Sequence, residues 1–206
     1  MHAQDLFDDG GAARIALPDA DLRCLRGFYR QPDTALFLQA LLRETAWRQE
    51  TITLWGKAHL QPRLSAWHGD AGRGYSYSGV VLTPQPWTPP LLRIKADIEQ
   101  ATGWHFNSVL LNLYRDERDS VGWHSDAEPE LGSCPAIASL SLGETRSFRL
   151  RHKTRRDLKP VVAIDLDDGC LLLMAGPTQR CWQHSVPKES GTRGPRINLT
   201  FRTILA

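Results

Sequence analysis

Arg196-Ile197-Asn198-Leu199-Thr200-Phe201-Arg202, close to the end of the chain, alternates without exception between polar and apolar residues. In an extended strand successive side chains point to opposite faces. Ile197, Leu199 and Phe201 therefore share one face, and Arg196, Asn198, Thr200 and Arg202 share the other. The first face asks for a core. The second lines up two guanidinium groups and an amide, which are costly to bury unless an anion meets them. Planar guanidinium forks suit a carboxylate held by two bonds. On this strand alone, a solvated face is an equally good account.

Working outward, the chain after Trp104 reads as short strands broken by Gly, Pro or charged turns. The candidates are 107–114, 136–142, 147–152, 161–166, 170–174, 181–185 and 196–203. Two helices come before them. In 32–47, Ala35, Leu36, Leu38, Leu42 and Ala46 fall near 3.6 spacing after a proline start. In 89–101, Leu91, Leu92, Ile94, Ile98 and Ala101 repeat the pattern, and Gly103 supplies a stop. The order suggests an α+β fold, mainly β: a sandwich or jelly roll with the N-terminal helices packed on one sheet. Residues 51–81, rich in glycine, read as hairpin and loop rather than core. Residues 1–20 read as a loosely held extension, 21–206 as a single domain, and 104–206 as its jelly-roll core.

Composition sets the outer limits. With 206 residues, 41% hydrophobic and 23% charged, the chain is one ordinary globular domain and not a disordered one. Twenty-five Lys and Arg against 23 Asp and Glu leave a net charge of only +2, which by itself argues weakly against a nucleic-acid partner. Its longest uncharged apolar stretches fall far below the roughly 18 residues of a membrane helix, and no secretory signal is visible. Cys24, Cys134, Cys170 and Cys181 form no CxxC, so reduced thiols in a cytoplasmic protein are expected. Nothing reads as an obligate interface, and a monomer is expected.

Two further stretches carry polar residues on one face. Asn112 and Tyr114 alternate with Leu111 and Leu113, so an amide and a phenol look the same way. In His124-Ser125-Asp126, an extended backbone would put imidazole and carboxylate on one side, ~7 Å apart at their Cα atoms. His184 follows on a later strand candidate. Two His and one carboxylate on one face of a metal suit non-haem Fe(II) oxygen chemistry, with open positions for a bidentate co-substrate and dioxygen. HxD alone is a common accident; in this order with the Arg/Asn strand it is not. Glu128 and Glu130 compete as ligands, but Asp126 has the better spacing. Trp123 and Trp182 flank the ligands as aromatic walls or as core. His2, His59, His68, His105 and His152 have no carboxylate at ligand spacing and read as surface or loop residues.

These residues resemble the AlkB-like Fe(II)/2-oxoglutarate dioxygenases, which demethylate alkylated nucleic acid. The matching segments are FNSVLLNLYRDERDSVGWHSDAEPELG, PAIASLSLGETRSFRLRHK, DDGCLLLMAGPTQRCWQHSVPK and GPRINLTFR, with WGKAHLQPRLSAWHGD and YSYSG upstream. The resemblance runs from about Trp55 to Arg202 and implies that the fold is a double-stranded β-helix (jelly roll). It implies that His124, Asp126 and His184 bind iron, and that Asn112, Tyr114, Arg196, Asn198 and Arg202 hold 2-oxoglutarate. Residues 51–82 become a nucleotide-recognition lid, with Tyr75 and Tyr77 around a flipped base and Glu128 meeting its amino group. Many relatives carry a second acid directly after the ligand Asp, where this chain has Ala127.

The implied reaction removes the methyl group of 1-methyladenine or 3-methylcytosine from DNA, with RNA as a further substrate. The iron oxidant hydroxylates the methyl group with dioxygen and 2-oxoglutarate, and formaldehyde leaves. Between Arg146 and Lys159 the sequence holds seven Lys or Arg against one acid, Asp157. That block, with Arg151, Lys153, Arg155 and Arg156, suits phosphates; a solubilising loop is the plainer reading. An iron/2-oxoglutarate hydroxylase of a protein or small molecule would keep the metal residues but make this block irrelevant. A non-enzymatic nucleic-acid-binding jelly-roll module is the third alternative.

Overall fold

The computed structural model describes residues 12–54, 56–72, 75–77 and 80–205. In chain order these form β1 (Ala13–Arg14), β2 (Asp21–Leu25), α1 (Asp33–Glu44), β3 (Thr51–Leu54), β4 (Lys57–Leu60), β5 (Leu64–Gly69), β6 (Tyr75–Tyr77) and β7 (Val80–Leu82). There follow α2 (Pro89–Thr102), β8 (Ser108–Tyr114), β9 (Val121–His124), β10 (Ile137–Gly143), β11 (Arg146–His152) and β12 (Val162–Leu166). The last elements are β13 (Leu171–Ala175), the single turn α3 (Thr178–Cys181), β14 (Trp182–Val186) and β15 (Arg196–Arg202). A major sheet of seven strands runs β1-β2-β13-β10-β15-β8-β5, and a minor sheet of four runs β12-β11-β14-β9. All their pairings are antiparallel. The mainly β, α+β jelly roll expected from the sequence is the fold observed.

The alternation in β15 decides how the layers stack. Ile197, Leu199 and Phe201 are fully buried with Leu111, Leu140, Leu142 and Val109 from the flanking strands and Leu41, Leu91, Ile94 and Ile98 from the two long helices. Each such side chain contributes roughly 1.5–3 kcal/mol when fully buried. Helix α2 starts on two prolines after an extended Thr88, and Gly103 closes it in the left-handed region at φ 72°, donating its N–H to Glu99 O. A second cluster, including Leu22, Ile137, Phe148, Leu150, Leu172 and Trp182, draws on both sheets and fills part of the space between them. The remaining space is lined by the polar face of β15 and its neighbours.

Three expectations need correction. The extension predicted over 1–20 is too long, because Ala13–Arg14 pairs with Arg23 and Cys24 and Ile15 N donates to Leu22 O. Residues 1–11 lie outside the described residues. Part of the predicted lid is core sheet: β5 pairs along its whole length with β8, Leu64 opposite Leu113 and Gly69 opposite Ser108. Among the described residues there, β3–β4 and β6–β7 form two separate two-stranded sheets. Finally, two strands lie where none was expected: β2, whose Asp21-Leu22-Arg23-Cys24 alternates in burial against β13, and β9, which has no alternation and is set by its partner β14.

Gly143 shows how tightly the end of β10 is held. It lies opposite Arg196 with φ 90°, and a Cβ there would run into the Pro195 carbonyl. Only glycine accepts both conditions.

Candidate metal centre and carboxylate pocket

His124 and His184 are direct Cα partners across β9 and β14, so the minor sheet alone brings the two imidazoles together. Their ring centroids are 4.3 Å apart, inclined at 65°. Strand β9 ends at His124, so Asp126 does not reach them by strand geometry. It is placed by side chains. Gln179 Oε1 accepts from Asp126 N at 3.0 Å, and Arg202 Nη2 donates to Asp126 Oδ1 at 2.8 Å. One ligand atom from each of His124, Asp126 and His184 then lies within 4.8 Å of the others.

The protonation states favour a cation. Burial first, then the neighbouring His124, pushes the His184 imidazole down to about 3, so its lone pair is free at neutral pH. The 4.0 Å approach of His184 Nε2 to Asp126 Oδ2 is accordingly no ion pair. Burial opposes ionisation of Asp126, but Arg202 and then the two histidines outweigh it and hold the carboxyl at about 2. His124 Nδ1 lies 2.9 Å from Gly122 O. A carbonyl only accepts, so Nδ1 carries the proton and Nε2 is left to bind. Two imidazoles and one carboxylate, with no fourth candidate ligand grouped with them among the described residues, fit Fe(II).

The co-substrate candidates lie on the facing sheet. Asn112 is opposite Asn198 and Tyr114 opposite Arg196 on β8 and β15, while Arg202 stands at the Asp126 end. Asn198 Nδ2 donates to Ser139 Oγ at 2.7 Å, and Arg63 Nε donates to Asn112 Oδ1 at 2.8 Å. Arg196 is 1% exposed and gives Nη2 to Ser141 Oγ at 2.8 Å. Its Nε and Nη1 are buried without a hydrogen-bond partner, and no carboxylate lies within 4.0 Å of it among the described residues. A buried cation so placed calls for an external anion, and a dicarboxylate fits. Gln179, Ser139 and Ser141 were missed by the sequence reading, since an isolated Gln or Ser carries no spacing signal.

The substrate candidates divide. Tyr75 and Tyr77 lie on the β6–β7 hairpin, but their side chains are outside the described residues. Glu128 keeps Oε2 buried without a partner close to the ligand segment. Arg151 stacks over Trp123 at 4.4 Å and donates to Gln183 Oε1. Lys153 Nζ donates to Gln179 O at 2.8 Å, so the root of the basic loop touches the residue that holds Asp126. Arg155 is paired with Asp157 at 2.6 Å and faces Asp19, whereas Arg156 is exposed.

Other residues of the basic block and the remaining histidines depart from expectation. Arg146 is no phosphate ligand: it is buried and bonded to the carbonyls of Asp116, Asp119 and Pro187. His68 and His152, expected as surface or loop residues, are buried on β5 and β11. His68 Nδ1 bonds Pro86 O, and His152 Nδ1 accepts from Thr154 and Arg155 N–H. Trp182 is core, with Nε1 donating to Pro18 O.

Comparison with known proteins agrees with this geometry. The family model of the 2OG-Fe(II) oxygenase superfamily matches residues 21–202. The chain belongs to that superfamily and is a dioxygenase dependent on Fe(II) and 2-oxoglutarate. Within it the chain is an AlkB homologue. It is 48% identical to human alpha-ketoglutarate-dependent dioxygenase alkB homolog 3 over 97% of this chain and 72% of that one. The bovine counterpart is 49% identical over 86% of this chain, which spans 64% of that relative's length. Human DNA oxidative demethylase ALKBH2 is 45% identical over 75% of this chain and 61% of its own. The solved structure of OsALKBH1 shares the fold at a TM-score of 0.60 and 17% identity, over 93% of this chain and all of that one.

Proposed function

We propose that this dioxygenase removes methyl groups from the base-pairing edge of adenine or cytosine in DNA, with RNA as a further substrate. The observation that carries this reading is the 48% identity to human alkB homolog 3 over 97% of the chain, in a structure that brings His124, Asp126 and His184 together. His124, Asp126 and His184 hold the iron. Arg202 fixes the Asp126 carboxylate at the metal end, and Arg196 takes the distal carboxylate of 2-oxoglutarate six residues along β15. Asn112, Tyr114 and Asn198 supply neutral hydrogen bonds between them. When bound, Fe(II) with 2-oxoglutarate and dioxygen supplies an oxidant able to hydroxylate a methyl C–H bond, which no side chain can do.

The protein's share is placement. The damaged base leaves the stack at a cost of a few kcal/mol, least where methylation already blocks pairing. Glu128 accepts from the base amino group, and Tyr75 and Tyr77 enclose the base and keep water out. Arg151, Lys153, Arg155 and Arg156 line the strand's approach with positive charge, and the N-hydroxymethyl base sheds formaldehyde unaided. The free cysteines, Cys24 and Cys170 among them, fit a reducing compartment, the cytoplasm. No helix among the described residues is long and apolar enough to cross a membrane.

The test is mass spectrometry of oligonucleotides carrying 1-methyladenine or 3-methylcytosine. Loss of one methyl, dependent on 2-oxoglutarate and oxygen and abolished by His124→Ala, is expected. Intact oligonucleotides beside steady 2-oxoglutarate consumption would hand the site to another substrate class.

A further inference from the structure

Arg146 opens β11 in the minor sheet, yet its guanidinium reaches the carboxylate end of the major-sheet pocket. Its side chain is 0% exposed. Nη1 donates to Asp116 O at 3.1 Å, and Nη2 donates to Asp119 O at 2.8 Å and Pro187 O at 2.7 Å. The guanidinium carbon lies 5.5 Å from the centre of the Tyr114 ring, and that of Arg196 lies 5.2 Å from the same centre. Two buried cations thus share one phenol. Among the described residues, the carboxylate within 4.0 Å of Arg146 is Glu189, whose Oε1 is 3.5 Å from Nε. Glu189 is itself drawn outward by Arg193 Nε at 2.6 Å.

Backbone carbonyls accept from both Nη atoms of Arg146, while its Nε is buried without a hydrogen-bond partner and nothing among these contacts cancels its charge. Like charge from Arg146 adds to burial in disfavouring the protonated Arg196. An arriving carboxylate relieves both. We propose that Arg146 is a positioning residue for the distal carboxylate of 2-oxoglutarate, holding the Tyr114 ring against Arg196 and adding a second buried positive charge, so that the pocket selects a dicarboxylate over a keto acid with one carboxylate. The inference rests on Arg196 as the anchor of that carboxylate. A charge so placed, at an effective dielectric of about 20, changes anion affinity by about tenfold.

The experiment is calorimetric titration of the Mn(II)-loaded protein with 2-oxoglutarate and with 2-oxopentanoate, which keeps the keto-acid end and lacks the distal carboxylate. The readout is the ratio of the two affinities. Arg146→Met is expected to lower the ratio about tenfold, and Arg146→Lys to restore most of it. Glu189→Gln, a conservative change at a partly exposed residue, is expected to raise it about two- to threefold. Equal weakening of both acids by Arg146→Met would reduce Arg146 to a structural strut. If that variant does not fold, Glu189→Gln decides, and an unmoved ratio overturns the inference. Arg196→Met separates the premise: a ratio it leaves intact refutes the anchor itself. A ratio that collapses in Arg196→Met but ignores Arg146 and Glu189 refutes Arg146 alone.

Discussion

The two ends of β15 carry the same side chain in opposite electrostatic circumstances. Arg202 meets a carboxylate of its own protein, Asp126, at 2.8 Å, while Arg196, six residues earlier and more deeply buried, meets none within 4.0 Å among the described residues. A buried ion pair within the chain fixes geometry, and here it aims a metal ligand. A buried cation left without an anion costs stability, and the protein retains that cost as affinity for what arrives. On the proposed reading, one arginine is part of the scaffold of the metal centre, and the other belongs to the ligand as much as to the fold.

The strongest way to break this comparison is to remove each guanidinium in turn. Arg196→Met should weaken 2-oxoglutarate about a hundredfold or more, the scale of losing one member of a buried charge pair, while metal content stays near one ion per chain. Arg202→Met should lower both, because Asp126 loses the partner that orients and ionises it. Metal analysis beside co-substrate titration reads both. Arg202→Met with full metal content would make the two arginines equivalent and dissolve the distinction.

Gln179 sharpens the same contrast at smaller amplitude. It is 1% exposed, accepts from Asp126 N, gives Nε2 to Met174 Sδ and takes Lys153 on its own carbonyl. Because Asp126 lies beyond the end of β9, this side chain does what strand geometry does for the histidines. Gln179→Ala should lower metal affinity roughly tenfold, as losing the outer support of a ligand does, and leave the 2-oxoglutarate affinity of the metal-loaded protein within about twofold. A metal affinity unchanged in a competitive chelator titration would mean Arg202 alone places the ligand.

How much of this could be read in advance follows from which interactions were local. β15 was legible because period 2 is visible in seven residues, and its buried face was correct residue by residue. The helices were legible from their spacing and from Gly103. β5 was not, because Leu-Ser-Ala-Trp-His-Gly has no alternation of its own and becomes a strand only by pairing with β8. The His-Asp-His set was legible as chemistry, although extended geometry, the route imagined for it, fails beyond His124. Gln179 supports the site from α3 and Ser139 and Ser141 from β10, so nothing in their own neighbourhood announces them. Arg146 was counted with the phosphate-facing block because charge is visible in a sequence and burial is not.

That last distinction also sorts the basic loop, where the expected effects are smallest. Arg155 is held by Asp157 and faces Asp19, so a phosphate must first displace a carboxylate. Arg156 is exposed and free to meet phosphate without that exchange. Each phosphate neutralised adds about one to the slope of log affinity against log salt. Arg156→Ala should therefore reduce the slope for a methylated duplex by about one, and Arg155→Ala by clearly less. Asp157→Asn should release Arg155 and steepen the slope toward a further unit. The measurement is binding by fluorescence anisotropy over a salt series with the metal site loaded. Equal slopes for Arg155→Ala and Arg156→Ala would show that the internal ion pair opens without cost. An unchanged slope in both would place the strand away from this loop and confine its charge to solvation.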